Sequence, residues 1–177
     1  MVNLRTGKAL RRLANHPSTK ASANRPPIGE HGQMLAKNDG SIVMVNSDAI
    51  EISSDGKWLY YQPLTGPLYK VPTKSLRDET LSEEDLGKQV EFVYDTPTLV
   101  GTAIDSKGNI YLAEFERPRI TMLSPDGMLQ VIAEDERLWG PDAMFITHQR
   151  ELYMPCPQSG WLASNRGPGG KDRVIRP

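Results

Sequence analysis

The sequence predicts an all-β chain that forms part of a β-propeller, with about three blades of four-stranded antiparallel sheet. Three segments of the 177-residue chain share one pattern: a short apolar strand, a polar turn, and a second strand that ends in an aromatic residue. The closing residues Tyr60, Tyr111 and Tyr153 recur at intervals of 51 and 42 residues. A unit that recurs every 40 to 50 residues or so is typical of a propeller blade.

Each repeat predicts a β-hairpin, because alternating apolar residues flank a short turn that contains Asp-Gly, Lys-Gly or Gln-Arg. The three hairpins cover residues 48–60, 100–111 and 142–153. Further strands are predicted at 67–71, 119–123 and 128–132, the last two joined by a Ser-Pro-Asp-Gly turn. The second blade is therefore predicted to be nearly complete.

The segments around the hairpins differ in composition. We expect a strand pair of an incomplete blade at 1–13, a long polar loop at 14–40, propeller blades at 41–157 and a flexible segment at 158–177. Residues 77–95 contain seven acidic and two basic residues. This stretch is predicted to be a solvated loop between blades that begins with one helical turn.

Charge and hydropathy exclude some classes of partner. The formal net charge is −1, with 21 basic and 22 acidic residues, so the chain lacks the positive field that would hold a nucleic-acid backbone. No apolar run approaches the length of about 18 residues that spans a membrane. The first residues are charged where a secretory signal would be apolar, so no export signal is visible.

The number of repeats leaves the predicted propeller open. Propellers close with about four or more blades, whereas this sequence supplies about three. An open arc exposes the faces of its terminal blades. We therefore expect either that the sequence is part of a longer protein, whose missing blades complete the ring, or that copies of the chain associate.

Several runs of sequence resemble the major royal jelly protein/yellow family. They are SSDGKWLYYQPLTGPLYKVPTKSLRD, GTAIDSKGNIYLAEFERPRI and VIAEDERLWGPDAMF, within a similarity that extends from about residue 42 to 155. A further likeness lies near the start, in NLRTGKALRRLANHPS. The family is similar to the regucalcin/gluconolactonase group, and the resemblance implies a six-bladed propeller of which this chain is about the C-terminal half. It also implies an extracellular location for the intact protein.

The resemblance places function at the central channel of the propeller. Asp48, Val100 and Asp142 occupy the same position of the three repeats, each before a small residue. Because equivalent positions of successive blades face one axis, we expect all three at one concavity and the two carboxylates close together. Asp48 and Asp142 are therefore the candidate contacts for a ligand or for a cation such as Ca²⁺, which prefers oxygen ligands.

The wider group also implies a second function, a metal-dependent lactone hydrolase. Asp48 stands where those lactonases place an Asn ligand, and Val100 stands where they place an Asp ligand. Valine cannot coordinate a metal, so this residue argues against the lactonase site. A structural alternative is that Asp48 and Asp142 only orient the start of each strand by accepting backbone N–H groups.

Three functions follow from these observations. The first is a propeller-type ligand-binding protein of the royal jelly/yellow type, without a complete catalytic site in this chain. The second is the metal-dependent lactone hydrolase. The third is a scaffold for protein interactions that uses exposed loops such as 14–40.

Overall fold

The computed structural model describes residues 1–171, and its strands form two four-stranded antiparallel sheets and one hairpin. The first blade consists of β1 (Ser47–Ile52), β2 (Trp58–Pro63), β3 (Leu68–Pro72) and β4 (Glu91–Tyr94). The second blade consists of β5 (Leu99–Ile104), β6 (Ile110–Glu114), β7 (Arg119–Leu123) and β8 (Leu129–Glu134). The third hairpin consists of β9 (Phe145–Ile146) and β10 (Leu152–Tyr153). Two short helices, α1 (Thr73–Arg77) and α2 (Glu83–Gly87), join β3 to β4.

The blades fan out from their first strands. Within each sheet the spatial order follows the chain order, as in a meander. Between sheets, β1 contacts β5 and β5 contacts β9, so the first strand of each unit is the inner strand. Meander sheets arranged radially around their inner strands are the architecture of a propeller. The predicted fold class is therefore confirmed as a partial propeller with two complete blades and a third hairpin.

Two apolar clusters hold the three units together. One lies between the first and second blades and includes the buried residues Leu68, Leu99 and Leu112. The other lies between the second blade and the third hairpin and joins Tyr111 to Met144, among others. Because each cluster takes side chains from two neighbouring units, the sheets are stabilised face to face rather than edge to edge.

Polar contacts add to the packing of the third hairpin. The Nη2 atom of Arg150 lies 3.2 Å from Asp105 Oδ2 in the turn of the second blade. The same nitrogen donates a hydrogen bond of 3.0 Å to the Tyr111 hydroxyl. These bonds fix the turn of the third hairpin against the second blade.

The prediction of a loop at residues 77–95 is wrong, because this stretch contains α2 and the outer strand β4. An outer strand has one edge in solvent, so it accommodates charged side chains. Glu91 of β4 lies 3.2 Å from Lys70 Nζ of β3, while Val93 and Tyr94 pack against the cluster between the blades. Of the seven acidic residues in this stretch, Glu91 lies in β4, three lie in α2 and the other three lie in the connecting turns.

Residues 1–45 contain short bridges and turns. Val2 pairs with Ala9, Ile28 with Met34, and Ala36 with Ile42, each as an isolated antiparallel bridge. Within residues 1–171, no helix is long and apolar enough to cross a membrane. The proposed domain boundaries in this part of the chain stay predictions.

The described part of the C-terminal segment lies against the loop before β1. Ala36 forms a parallel bridge with Arg166, and its carbonyl accepts a hydrogen bond of 2.7 Å from Gly167 N. Residues 159–161 and 163–165 form single 3₁₀ turns. The end of the predicted flexible segment, 172–177, lies outside the described residues.

Candidate functional site

A β-bulge at the start of each complete inner strand positions the candidate site residues. In β1 the pairing with β2 shifts by one residue between Ser47 and Ile50, at Asp48 and Ala49. In β5 the shift with β6 falls between Leu99 and Gly101, at Val100. A bulge adds an unpaired residue and redirects its side chain. The strand start therefore turns Asp48 and Val100 away from the regular alternation of the sheet.

Asp48, Val100 and Asp142 line one cavity of about 310 Å³ at this end of the inner strands. The structure thus brings together the three repeat-equivalent positions, as the sequence indicated. Their role in binding a ligand or a cation is a separate question that the geometry leaves as a prediction.

The two carboxylates influence each other across the cavity. Partial burial raises the pKa of Asp48, and the neighbouring Asp142 carboxylate raises it further. Within residues 1–171 the Asp48 carboxylate has no hydrogen-bond or ion-pair partner from the protein. Both residues are exposed. An unpaired carboxylate next to a second carboxylate is an electrostatic environment in which ligand-binding groups are often found.

Asp142 differs from Asp48 because one of its carboxylate oxygens accepts a hydrogen bond from the protein backbone. Its Oδ1 accepts a hydrogen bond of 2.8 Å from the N–H of Ala143, and its own N–H donates to Pro155 O over 2.9 Å. One carboxylate oxygen therefore helps to set the start of β9, as the structural alternative proposes. Asp48 lacks an equivalent bond, so that alternative describes only one of the two residues.

The cavity offers few metal ligands, and a metal bound by Asp48 and Asp142 stays a prediction. Within the described residues, no group of three or more His, Cys, Asp or Glu side chains is arranged to hold a metal ion. Ca²⁺ takes six to eight oxygen ligands, whereas Asp48 and Asp142 supply the only carboxylates among the residues that line this cavity, and Val100 supplies no ligand. The remaining ligands of a bound ion would come from neutral groups and water.

Sequence reasoning missed the residues that form the rest of the cavity wall. Leu35 and Val43 come from the loop before β1, Phe115 follows β6, and Ser159 and Asn165 come from the C-terminal segment. Asn165 Nδ2 donates a hydrogen bond of 2.9 Å to Ser159 O, which joins the two polar residues of this wall. These residues lie outside the repeats, so no periodic signal identified them.

The sequence profile of the family described as Major royal jelly protein matches residues 2–166. The chain belongs to the major royal jelly protein family. The match extends well beyond the three hairpins and includes the loop before β1, which contributes to the cavity wall. The matched range also contains Asp48 and Asp142.

The chain has low similarity to a solved bacterial lyase. The chain is similar to virginiamycin B lyase from Staphylococcus aureus, solved as a catalytically inactive variant with quinupristin, at 14% identity and a TM-score of 0.47. The similarity covers 84% of this chain and 52% of the lyase, so the chain spans about half the length of that protein. No curated protein matches the chain at a significant level.

Proposed function

We propose that this member of the major royal jelly protein family is a ligand-binding propeller protein whose cavity holds a small molecule with a positive charge. The observation that carries the proposal is that Asp48 and Asp142 line the same cavity. The proposal assigns no catalytic step to the chain.

The charge of the cavity supports a cationic ligand. Two of the residues that line it are acidic, and none of the described lining residues is Lys or Arg. Desolvation and, to a smaller extent, the Asp142 charge raise the pKa of Asp48. A positive group between the two carboxylates would relieve their repulsion. A charged hydrogen bond of this kind contributes about 1.5–3 kcal/mol.

The other walls support a ligand with an apolar body. Leu35, Val43, Leu64 and Phe115 face the same cavity, and Leu35 and Phe115 are almost fully buried. A hydrated metal ion gains nothing from such walls, whereas an organic cation buries its hydrocarbon part against them. We therefore propose an organic ammonium ion rather than a bare metal ion as the class of ligand.

Isothermal titration calorimetry at pH 7 tests the proposal with three probes: benzylammonium, neutral benzyl alcohol and Ca²⁺. We expect benzylammonium to bind, and we expect Asp48→Asn to weaken that binding by about tenfold or more, since about 1.4 kcal/mol corresponds to a factor of ten. The matched control is Glu84→Gln, which removes an exposed carboxylate from α2.

The three probes separate the possible outcomes. Equal binding of benzyl alcohol and benzylammonium would show that charge plays no part, and the proposal would fail. Binding of Ca²⁺ that is lost in Asp48→Asn, without any binding of benzylammonium, would instead favour a metal site. Loss of benzylammonium binding in Glu84→Gln to the same extent as in Asp48→Asn would point to an effect of total charge.

A further inference from the structure

A second cavity, of about 410 Å³, lies where the inner strands end and turn into the second strand of each hairpin. The strands β1 and β5 line the candidate ligand cavity near their starts, with Asp48 and Val100. They line the second cavity with their last residues, Ile52 and Ile104. Four residues of extended strand span about 13 Å, so the two cavities are separate sites.

The three hairpins contribute the same two kinds of group to this second cavity. Ile52, Ile104 and Ile146 occupy the fifth position of the three repeats and line the cavity with apolar surface. The turns that follow these strands add three hydroxyl-bearing residues: Ser54, Ser106 and Thr147. The repeat therefore builds a cavity in which apolar surface lies beside polar turns.

The charge of this cavity is opposite to that of the first one. Lys107 and Arg150 line it, and Asp105 is the only acidic residue among its described lining residues. Asp105 is buried, and its carboxylate accepts hydrogen bonds of 2.9–3.0 Å from Lys107 N and from both the backbone and the side-chain nitrogen of Asn109. These bonds and the Arg150 contact occupy the carboxylate within the turns, so the cavity keeps an excess of positive charge.

The basic side chains at this cavity have donors that the protein does not use. Within residues 1–171 the exposed Lys107 ammonium group forms no hydrogen bond and no ion pair. Arg150 uses Nη2 for Asp105 and for the Tyr111 hydroxyl, which leaves Nε and Nη1 unbonded in the described part of the chain, and half of its side chain is exposed. A guanidinium group and an ammonium group with free donors are suited to bind phosphate or sulfate oxygens.

The backbone of Arg150 is a further indication of function. Its φ is +65°, and the equivalent residues of the first two hairpin turns are Gly56, at +70°, and Gly108, at +84°. In all three turns the N–H of this residue bonds to the carbonyl oxygen three residues earlier. A side chain costs conformational energy in this left-handed region, which glycine avoids, and such strain is often found at functional sites. The third hairpin therefore has an arginine where the turn geometry favours glycine.

We propose that this cavity binds an organic phosphate or sulfate ester, with the anionic group between Lys107 and Arg150 and the apolar part against the three isoleucines. Donors line the cavity from three separate turns, which suits a group with three outer oxygens better than a carboxylate with two. Apolar walls favour an organic ester over an inorganic ion. The site differs from the cation site in position and in charge, and the proposal does not rest on that function.

Isothermal titration calorimetry at pH 7 and low ionic strength tests the proposal with phenyl phosphate, phenyl sulfate, inorganic phosphate and neutral benzyl alcohol. We expect at least one of the two esters to bind, and to bind more tightly than inorganic phosphate or benzyl alcohol. Lys107→Gln should weaken the binding of that ester by about tenfold, because it removes one charged hydrogen bond.

Two control variants separate this site from other charges on the chain. Lys74→Gln removes one positive charge from the exposed side of α1 and should change ester binding by less than about twofold, since salt screens distant charges. Asp48→Asn should have an equally small effect on ester binding, because Asp48 lies at the other end of β1. Failure of the cation site would therefore leave the result for this site unchanged.

Arg150→Gly tests the arginine in a turn that keeps its geometry, since glycine is the residue of the two equivalent turns. We expect ester binding to fall by about tenfold or more, while circular dichroism shows that the fold is retained. If this variant does not fold, Lys107→Gln gives the same test with a side chain that forms no bond to the protein.

Backbone amide NMR shifts during the titration locate the bound ester. We expect the largest shifts in the three turns, at residues 53–57, 105–108 and 147–150. Absence of ester binding, equal binding of benzyl alcohol, or tighter binding of inorganic phosphate would overturn the proposal. An equal loss of binding in Lys74→Gln, or shifts concentrated outside the three turns, would also overturn it.

Discussion

The inner strands β1 and β5 occupy the same place in the repeat but have very different surroundings. Four of the six residues of β5 are buried, whereas Ala49 is the only buried residue among the six of β1. The first blade covers one face of β5 and the third hairpin covers the other. On its other face, the first blade packs against the N-terminal segment around Leu13 and against Leu76 of α1 and Leu86 of α2. The comparison shows that the neighbours of an inner strand, more than its own sequence pattern, determine its burial.

Truncation of Leu99 in β5 should give the largest difference in the free energy of unfolding between equivalent substitutions in the two strands. Leu99 is fully buried and belongs to the cluster between the blades. We expect Leu99→Ala to lower the free energy of unfolding by about 3 kcal/mol, the middle of the range for buried leucine. The measurement is urea denaturation at pH 7.

The control for Leu99→Ala is its repeat equivalent in β1, Ser47, which is exposed. Ser47→Ala should change the free energy of unfolding by less than about 0.5 kcal/mol. Equal losses in the two variants would contradict the view that β5 is stabilised by its two neighbours.

The next largest effect is expected at Gly101, where β5 lies against the third hairpin. A Cβ atom at this position would overlap the carbonyl oxygen of Asp142. We expect Gly101→Ala to cost about 1–3 kcal/mol in the free energy of unfolding, the range for an overpacked site. The equivalent residue of β1 is Ala49, so the reverse change, Ala49→Gly, serves as the comparison and should cost about 0.5–1 kcal/mol. If Gly101→Ala leaves the free energy of unfolding unchanged, the Asp142 carbonyl does not lie against Gly101.

The smallest effect is expected at the hydrogen bond that joins the two strands. Burial raises the pKa of Glu51, and the Thr102 hydroxyl partly offsets that rise by donating to the carboxylate. Thr102→Val removes the donor, so the ionised Glu51 becomes less stable in the folded state. We expect a loss of about 1 kcal/mol in the free energy of unfolding at pH 7.

The loss in Thr102→Val should depend on pH with a definite sign. A carboxyl group with a raised pKa in the folded state favours folding when protonated, and that contribution disappears as pH rises through its titration. The cost of Thr102→Val should therefore be smaller near pH 4, close to the ordinary pKa of Glu, than at pH 7. In a Glu51→Gln background the cost should be the same at both values, and a pH dependence that persists there would assign the effect to another group.

The sequence predicted those parts of the fold that depend on local pattern. The three hairpins were identified because alternation, turn residues and the closing tyrosines lie within about a dozen residues of one another. The outer strand β4 was missed because its register with β3 depends on a partner about twenty residues away, and its acidic neighbours suggested a loop. The repeat alignment also predicted that Asp48, Val100 and Asp142 meet at one cavity.

The remainder of the cavity could not be predicted from the sequence. Leu35 and Asn165 are far apart in the chain and meet the inner strands through tertiary contacts that have no period. The distinction between the two carboxylates was likewise invisible, because it depends on the N–H of Ala143 bonding to Asp142 while Asp48 lacks such a bond. Repeats therefore predict which positions converge, whereas the structure is needed to distinguish their chemical environments.

The bulge at the start of β1 and β5 places one residue of each strand at the cavity and outside the regular pairing of the sheet. Its extra residue takes no part in the regular ladder, so Asp48 and Val100 differ completely in chemistry while β1 and β5 keep the same pairing downstream. In each of the two complete blades, the side chain at this position can therefore change without a change in the pairing of the strands. Substitutions at positions 48 and 100 alone would therefore change the charge of the cavity wall while the strands keep their pairing.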